Sequence, residues 1–471
     1  MHKSLRITSI AAAILAACSM SAAYATNGML MEGYGPESTA MGGTAMAYDN
    51  GAAAMVGNPA TLGLMKDGTS RFDISIGNLR PDVTATVPLP NGTKQKVDST
   101  GDSYLMPAVG WITRNGQLSY GVGVFSQGGM GTDYPTNSVM QGARSEVGVG
   151  AFLAPLSFKV NDQLSLGGTL QYVWGGMDLI MGMPLFGQPG TPPPGTFDDF
   201  MPGAPNALGS ATGSLVQGLG PALQANPPPA GSSAVFRFSN DDDFSGKTKG
   251  AGFSARLGFM YQVSPELAIG GAYQAKTAMD DWDGKGTMSI VDQTGAVVNN
   301  MNMPGTFTIK DFQFPATFTL GMAYTMDKWL FAADLSQINW SDVMENFNMN
   351  FKVDASVPGF GGAETDITMK QNWDDQTVIK LGAAYTVNDQ VTVRGGVNLA
   401  NNPVPDEYLN ALFPAIIENH FTAGATYKFS DAHSIGGSLV VAPEVSQTNS
   451  QTGVKSTHAQ TNLQVMYSYR Y

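Results

Sequence analysis

Cysteine is almost missing from this chain of 471 residues, in which Cys18 is the only one. A disulfide framework and a thiolate metal site are both excluded. Charge is scarce as well, at 13% of residues, and acids outnumber bases to give a net charge of −13. That balance argues against a nucleic-acid partner and offers no basic surface for phosphate. Histidine is limited to four. His2 sits in the leader, and His420, His433 and His458 fall near strand ends or loops with no Ser, Asp or Glu constellation close by. They read as interfacial or loop residues, so no catalytic site and no enzyme activity are expected. No run of about eighteen apolar residues follows the leader, which excludes a transmembrane helix. No cofactor or metal motif is found. The acidic runs Asp241–Asp243 and Asp280, Asp281 and Asp283 read as solvated loop charges in preference to a calcium site.

The leader itself has the three parts of a secretory signal: a basic start with Lys3 and Arg6, an apolar run from Ile7 to Ala17, and Ala23-Tyr24-Ala25 as a small-x-small cleavage site. Residues 1–25 are therefore set aside, and cleavage after Ala25 would remove the lone cysteine. Leu15-Ala16-Ala17-Cys18 also fits the box before a lipid-modified cysteine, an alternative that an intact-mass measurement decides.

What the chain has in abundance is glycine, 57 residues, and alternation. From Asn27 to Met65 the sequence is crowded with Gly, Ala and Met and reads as neither a regular strand nor a capped helix. Small residues allow close backbone packing and Met fills irregular gaps, so residues 26–67 are expected to form a plug inside a container, with a disordered Gly-rich leader as the alternative. Residues 68–471 then supply the container. In the last segment Leu463, Val465, Tyr467, Tyr469 and Tyr471 share one parity, while Asn462, Gln464, Ser468 and Arg470 share the other. The same alternation runs through Phe253–Tyr261, Ile379–Tyr385, Val391–Leu399 and Phe421–Tyr427.

A soluble sandwich would alternate too. Lipid outside is favoured by aromatics placed just before short polar turns (Tyr261, Tyr324, Tyr385, Phe429), by tight turns at one end and long connections at the other, and by a terminal aromatic. Fourteen strands are expected, with both chain ends on the periplasmic side, among them continuous strands over 306–325, 329–352 and 366–386. The largest interruption, 183–246, reads as an external loop. In it Leu208, Leu215, Val216, Leu219 and Leu223 at helical spacing form either an exposed landing surface or a helix packed over the mouth.

Gly33-Tyr34-Gly35-Pro36, Met41-Gly42-Gly43-Thr44-Ala45 and Asn58-Pro59-Ala60, followed by Phe314-Pro315-Ala316-Thr317, Asn339-Trp340-Ser341 and Asn402-Pro403-Val404-Pro405, resemble the FadL/TodX family of outer-membrane transporters over essentially the whole mature chain. The resemblance implies an all-β, fourteen-stranded transmembrane barrel with an N-terminal hatch. It also implies passive uptake of long-chain fatty acids, with aromatic hydrocarbons as the alternative, and release sideways where the third strand kinks. Gly33, Gly42, Gly43, Asn58, Pro59 and Ala60 would belong to the plug or gate. Gly128 and Gly129 would mark the lateral opening, with an ordinary bulge as the plainer reading. Arg256, Lys380 and Arg394 fall on the lumen parity. They are candidates for a ligand head group, or for pairing with plug acids such as Glu32, Glu37 or Asp49. Expected partners are a hydrophobic ligand, outer-membrane lipid and lipopolysaccharide and the barrel-assembly machinery, with the chain working as a monomer. A general porin and a surface receptor or adhesin are the rival classes.

Overall fold

The computed structural model describes residues 27–89, 91–184, 208–229, 231–240 and 246–471. The leader with Cys18, the Pro192–Pro194 stretch and the acidic run Asp241–Asp243 lie outside the described residues. The strands in chain order are β1 Ser70–Pro88, β2 Lys94–Asp98, β3 Tyr104–Asn115, β4 Leu118–Asp133, β5 Arg144–Lys159, β6 Leu164–Pro184, β7 Gly209–Thr212 and β8 Ser233–Phe238. They continue with β9 Thr248–Gln262, β10 Leu267–Gln274, β11 Ala278–Met279, β12 Trp282–Val291, β13 Val297–Lys310, β14 Thr317–Met326 and β15 Trp329–Ile338. The last are β16 Asn346–Val353, β17 Glu364–Lys370, β18 Gln376–Thr386, β19 Val391–Ala400, β20 Asn419–Lys428, β21 His433–Thr448 and β22 Lys455–Arg470. Among the described residues two α-helices accompany them, α1 Gly35–Thr39 and α2 Ser214–Ala225.

β22 pairs back onto β1 over Arg71↔Arg470 to Thr86↔Lys455, so the antiparallel sheet closes on itself. Counting β8 and β12, which insert at the upper end, sixteen strands take part in the ring, not the fourteen expected; below them, where β6 pairs directly with β9, fourteen close it. β6 pairs directly with β9 from Leu164 to Met177. Above that the two diverge, β8 pairing with β6 and β12 with both β8 and β9. These two strands were missed because β8 lies inside the stretch read as a loop, and because both stand above the lipid belt, where the apolar-out alternation no longer applies. The long spans expected over 306–325, 329–352 and 366–386 each break in two. Pro315, the 3-10 turn Trp340–Asp342 and the stretch around Trp373 separate an upper strand from a lower one. Pro315 has no N–H to give a ladder, and β14 starts only beyond it, at Thr317.

In the lower part the polarity is the reverse of a soluble core. Phe318, Leu320, Met322 and Tyr324 of β14, like Leu463, Val465, Tyr467 and Tyr469 of β22, face out and are exposed, whereas Asn462 and Ser468 face in and are buried. That is the arrangement lipid demands. The short turns lie at one end, and both uses of Val-Asn-Asp-Gln close the same way. Asn161 Oδ1 accepts from Gln163 N and Leu164 N at 2.8 Å each. Asn388 Oδ1 accepts from Gln390 N and Val391 N at 2.9 and 2.8 Å. Tyr261, Tyr324, Tyr427, Phe429 and Tyr471 ring that end as exposed aromatics.

At the other end β8, β12, β13, β16, β17 and β7 pair in succession into a second wall. Its core is a cluster of Phe236, Phe238, Phe307 and Phe351, with ring centroids 4.5 to 6.5 Å apart. α2 packs against β17 and β7. Leu215 and Leu219 are wholly buried, and Val216 and Leu223 nearly so, so the apolar face of the helix is turned to the upper wall and offers no landing surface. Leu208 precedes it. Among the described residues no helix is long and apolar enough to cross a membrane.

Candidate functional site

The residues from Asn27 to Met65 pack against inward-facing positions of the ring, and few of their side chains are exposed. α1 and two 3-10 turns, Gly51–Met55 and Pro59–Leu64, are the regular structure in this segment. Asn58, wholly buried, donates through Nδ2 to Met46 O at 2.7 Å and to Phe259 O at 2.8 Å, and accepts from Ala60 N at 3.1 Å. One side chain thus caps the turn that Pro59 starts and ties it to β9. Gly42 and Gly43 have φ of 69° and 83°. A Cβ on Gly42 would strike the Val397 carbonyl, and one on Gly43 the Glu32 carbonyl, so only glycine lets the segment pass this close to β19 and to itself. Gly33 lines the inner chamber described below.

Charge holds the segment as well. Glu37 of α1 accepts from Arg71 Nη2 at 3.3 Å and from Arg394 Nη2 at 3.0 Å, so it bridges β1 and β19. Asp73 binds Arg71 Nε at 2.8 Å and accepts Ala52 N at 2.9 Å. Asp334 of β15 accepts Ala45 N at 2.7 Å. Burial alone would raise the Glu37 carboxyl, but Arg394 and Arg71 hold it below the usual carboxylate range. Glu32 lacks such a partner, and burial pushes its carboxyl up. Its Oε1 accepts Asn462 Nδ2 at 3.3 Å, and its Oε2 lies 3.8 Å from His420 Nε2. His420 and His458 are buried inside the ring, at 0% and 5% exposure, and are not the interfacial or loop residues expected from sequence. Both fall just within a strand on its inward parity, a placement that boundary error had hidden. His433 does sit at the rim, beside Tyr467.

Beneath the upper wall lies a chamber of about 110 Å³ lined by Glu32, Tyr34, Gln171, Arg256, Phe314 and Lys380 among others. Arg256 donates to Gly57 O at 3.0 Å and to Gln274 Oε1 at 2.9 Å. Lys380 stands opposite Asp334 in the ladder, yet among the described residues its ammonium makes no ion pair. Of the three cations read as head-group candidates, Arg256 and Lys380 therefore share the chamber, while Arg394 is engaged by Glu37.

The wall parts at β4, the third strand of the ring. β3 and β4 stay in register from Asn115↔Leu118 to Ala108↔Phe125 and pair no further. β4 bulges between Ser126 and Gly128 and continues along β5 alone. Its freed edge turns to the N-terminal segment instead, Gly129 N donating to Met29 O at 3.2 Å with a bridge between Leu30 and Gly128. Neither glycine has positive φ. Their requirement is clearance, since a Cβ on Gly128 would meet the Met29 carbonyl and one on Gly129 the Val147 carbonyl. In the gap is a cavity of about 460 Å³ that reaches from Phe125 and His458 inside to Leu105, Val124 and Trp174 on the exposed face.

A closed antiparallel ring, apolar outward at its lower end, packed with its own N-terminal segment and open through its side, defines an outer-membrane β-barrel of the channel and transporter class. The family model for outer membrane protein transport proteins (OMPP1/FadL/TodX) matches residues 12–469, and the chain belongs to that family. It is similar to the toluene transporter TbuX of Ralstonia pickettii, with 28% identity and a TM-score of 0.72 over 93% of this chain and 99% of that one. The toluene transporter TodX of P. putida gives 26% identity and 0.75 over the same shares. Alkane uptake protein A of Marinobacter nauticus is 29% identical over 120 residues, 25% of each chain. An uncharacterized protein of Chlorobium limicola is 49% identical over 90 residues, 19% of this chain and 43% of that one, so the chain spans less than half the length of the curated relatives it matches. The chain is an outer-membrane β-barrel of a transport-protein family.

Proposed function

We propose that the chain is a passive uptake channel for neutral monoaromatic hydrocarbons, with residues 26–67 as its hatch and lateral release into the membrane through the opening beside β4. The opening carries this reading: an apolar ligand that leaves through a gap in the wall goes from lumen to lipid without crossing water. The chamber of about 110 Å³ is of the order of the ~150 Å³ void that takes up benzene, which suits a single ring better than a long chain. Two of the similar solved structures are toluene transporters, which favours the same class. Long-chain fatty acids are the second reading, favoured by one observation, the unpaired Lys380 beside Arg256 in the chamber.

The protein is taken as a monomer, inserted by the barrel-assembly machinery and seated among lipopolysaccharide. Initial uptake of labelled toluene and labelled palmitate by cells with and without the protein separates the two substrate classes. Protein-dependent toluene uptake supports the aromatic reading, and protein-dependent palmitate uptake alone replaces it with the second. A large stable current in planar bilayers would instead indicate an open porin.

A further inference from the structure

The inner chamber is lined by two half-buried cations that the chain leaves without an acid. Arg256 of β9 stands opposite Gln274 of β10 in the ladder, and its guanidinium spends its edge on neutral groups. Nε donates to Gln274 Oε1 at 2.9 Å, and Nη1 donates to Gly57 O at 3.0 Å. Gln171 Nε2 donates to the same Gln274 oxygen at 2.8 Å, so the acceptor that holds the guanidinium is itself held. A guanidinium bonded along its edge keeps its flat face for an aromatic ring. Lys380 of β18 has Asp334 opposite it, but Asp334 spends Oδ2 on Ala45 N at 2.7 Å, and among the described residues the ammonium makes no hydrogen bond and no ion pair. Glu32 is the one acid among the residues lining the chamber, and it is turned to Asn462 at 3.3 Å and to His420 at 3.8 Å. Val149, Val173, Phe314 and Ile338 supply apolar surface between these groups. Two enclosed cations without a counter-charge favour an occupant of negative electrostatic potential. An anion has it, yet an anion leaving sideways would give up both cations for lipid. The face of a neutral aromatic ring has it too, through its quadrupole, and takes no charge into the membrane. In a chamber of about 110 Å³ the centre of a bound ring falls within the ~6 Å over which a lining cation attracts it.

We propose that Arg256 and Lys380 form a cation–π subsite that binds the face of an aromatic ring and makes the channel select arenes over saturated hydrocarbons of the same size. A saturated ring displaces water from both cations and returns nothing, whereas an arene returns part of what the water gave. Arg256 and Lys380 are specificity determinants that touch the ligand, and Gln274 is a positioning residue that fixes the guanidinium. This subsite rests on the aromatic reading proposed above and gives the unpaired Lys380 a use that needs no carboxylate.

The test compares protein-dependent initial uptake of toluene and methylcyclohexane, which share a carbon skeleton, in wild type, Lys380→Met and Lys380→Arg. The toluene to methylcyclohexane ratio is expected to fall about fivefold or more in Lys380→Met and to hold in Lys380→Arg, which keeps the cation. A second measurement needs no variant: unlabelled benzene and hexafluorobenzene compete with labelled toluene in wild type. Fluorination reverses the ring quadrupole, so hexafluorobenzene is expected to need at least about five times the concentration of benzene for the same inhibition. Should Lys380→Met fail to assemble, this comparison decides alone. An unchanged ratio in correctly inserted Lys380→Met, or equal inhibition by benzene and hexafluorobenzene, overturns the subsite and leaves the transport reading intact. Lys380→Met that lowers uptake of labelled benzoate while the ratio stands assigns the cations to a carboxylate and overturns the subsite as well. Wild type that takes up neither toluene nor methylcyclohexane overturns the transport reading and this subsite with it.

Discussion

Gly129 donates its backbone N–H to the carbonyl of Met29 at 3.2 Å, so the strand that leaves the wall is held open by the N-terminal segment and not by its former neighbour β3. The opening and the segment inside the ring are one mechanical unit, and a change in either is expected to be felt in the other.

Adding a methyl group at this junction tests the clearance directly. Gly128→Ala forces the Met29 carbonyl away, and Gly129→Val collides with Val147 of β5. Both are expected to give inserted, heat-modifiable barrels whose uptake of hydrophobic substrate is reduced about tenfold or more, the effect of ~1.4 kcal/mol on the open geometry. Uptake by cells, read beside electrophoretic heat-modifiability, checks both parts.

Glu37→Gln removes the acid that bridges Arg71 and Arg394 and leaves two buried guanidinium groups short of a partner. Breaking a buried pair in this way costs about 3–5 kcal/mol, here drawn from the docking of α1 and not from the ring. The expected outcome is an intact barrel with raised leakage of small hydrophilic antibiotics. Acid should mimic it. The Glu37 carboxyl lies below its ordinary value of 4.5 in the fold, so its contribution is complete above that value and is lost as pH falls through the depressed one. Hydrogen exchange of residues 35–57 at neutral pH and near pH 3 measures this.

Asn58→Ala strips the Met46 and Phe259 carbonyls of a donor and Ala60 N of an acceptor, at about 1–3 kcal/mol for each buried group left unsatisfied. The turn Pro59–Leu64 is expected to loosen from β9, giving faster proteolysis of the segment with normal barrel yield. Removal of residues 27–57 altogether is expected to leave a ring that still closes, since the β1 to β22 pairing does not involve them. Conductance in planar bilayers, absent in wild type and present in the deletion, would show that the segment fills the lumen.

Much of the lower barrel was legible because lipid imposes a strict rule on each strand. Leu463 to Tyr471 could be read one residue at a time, and the two Val-Asn-Asp-Gln turns carry their own hydrogen bonds. The upper wall obeys no such rule. β8 and β12 bury Phe236, Phe238, Trp282 and Met288 against neighbours from distant parts of the chain, and nothing local in their sequence distinguishes them from loop. α2 was legible as a helix from its spacing, whereas its docking onto β17 and β7 was not. In the site, the glycines at 128 and 129 could be singled out, but their reason, the Met29 and Val147 carbonyls, could not. Glu37 with Arg394 was open to reading as a lumen pair. Arg71, Asp73, Asp334 and His420 were not, because each contact to the segment spans from about 20 to nearly 400 positions.

If substrate leaves through the gap between β3 and β4, blocking that gap stops uptake. With the leader removed the chain is expected to have no cysteine, so Met106→Cys places a single thiol in the wall opening. Toluene uptake is measured before and after a bulky methanethiosulfonate reagent is attached, again after its release by reductant, and in wild type treated alike. Uptake that falls at least about tenfold on modification and returns on reduction, with wild type unaffected, is the outcome expected of a lateral route. Uptake at the unmodified rate by fully labelled protein would contradict it and direct the path through the N-terminal segment.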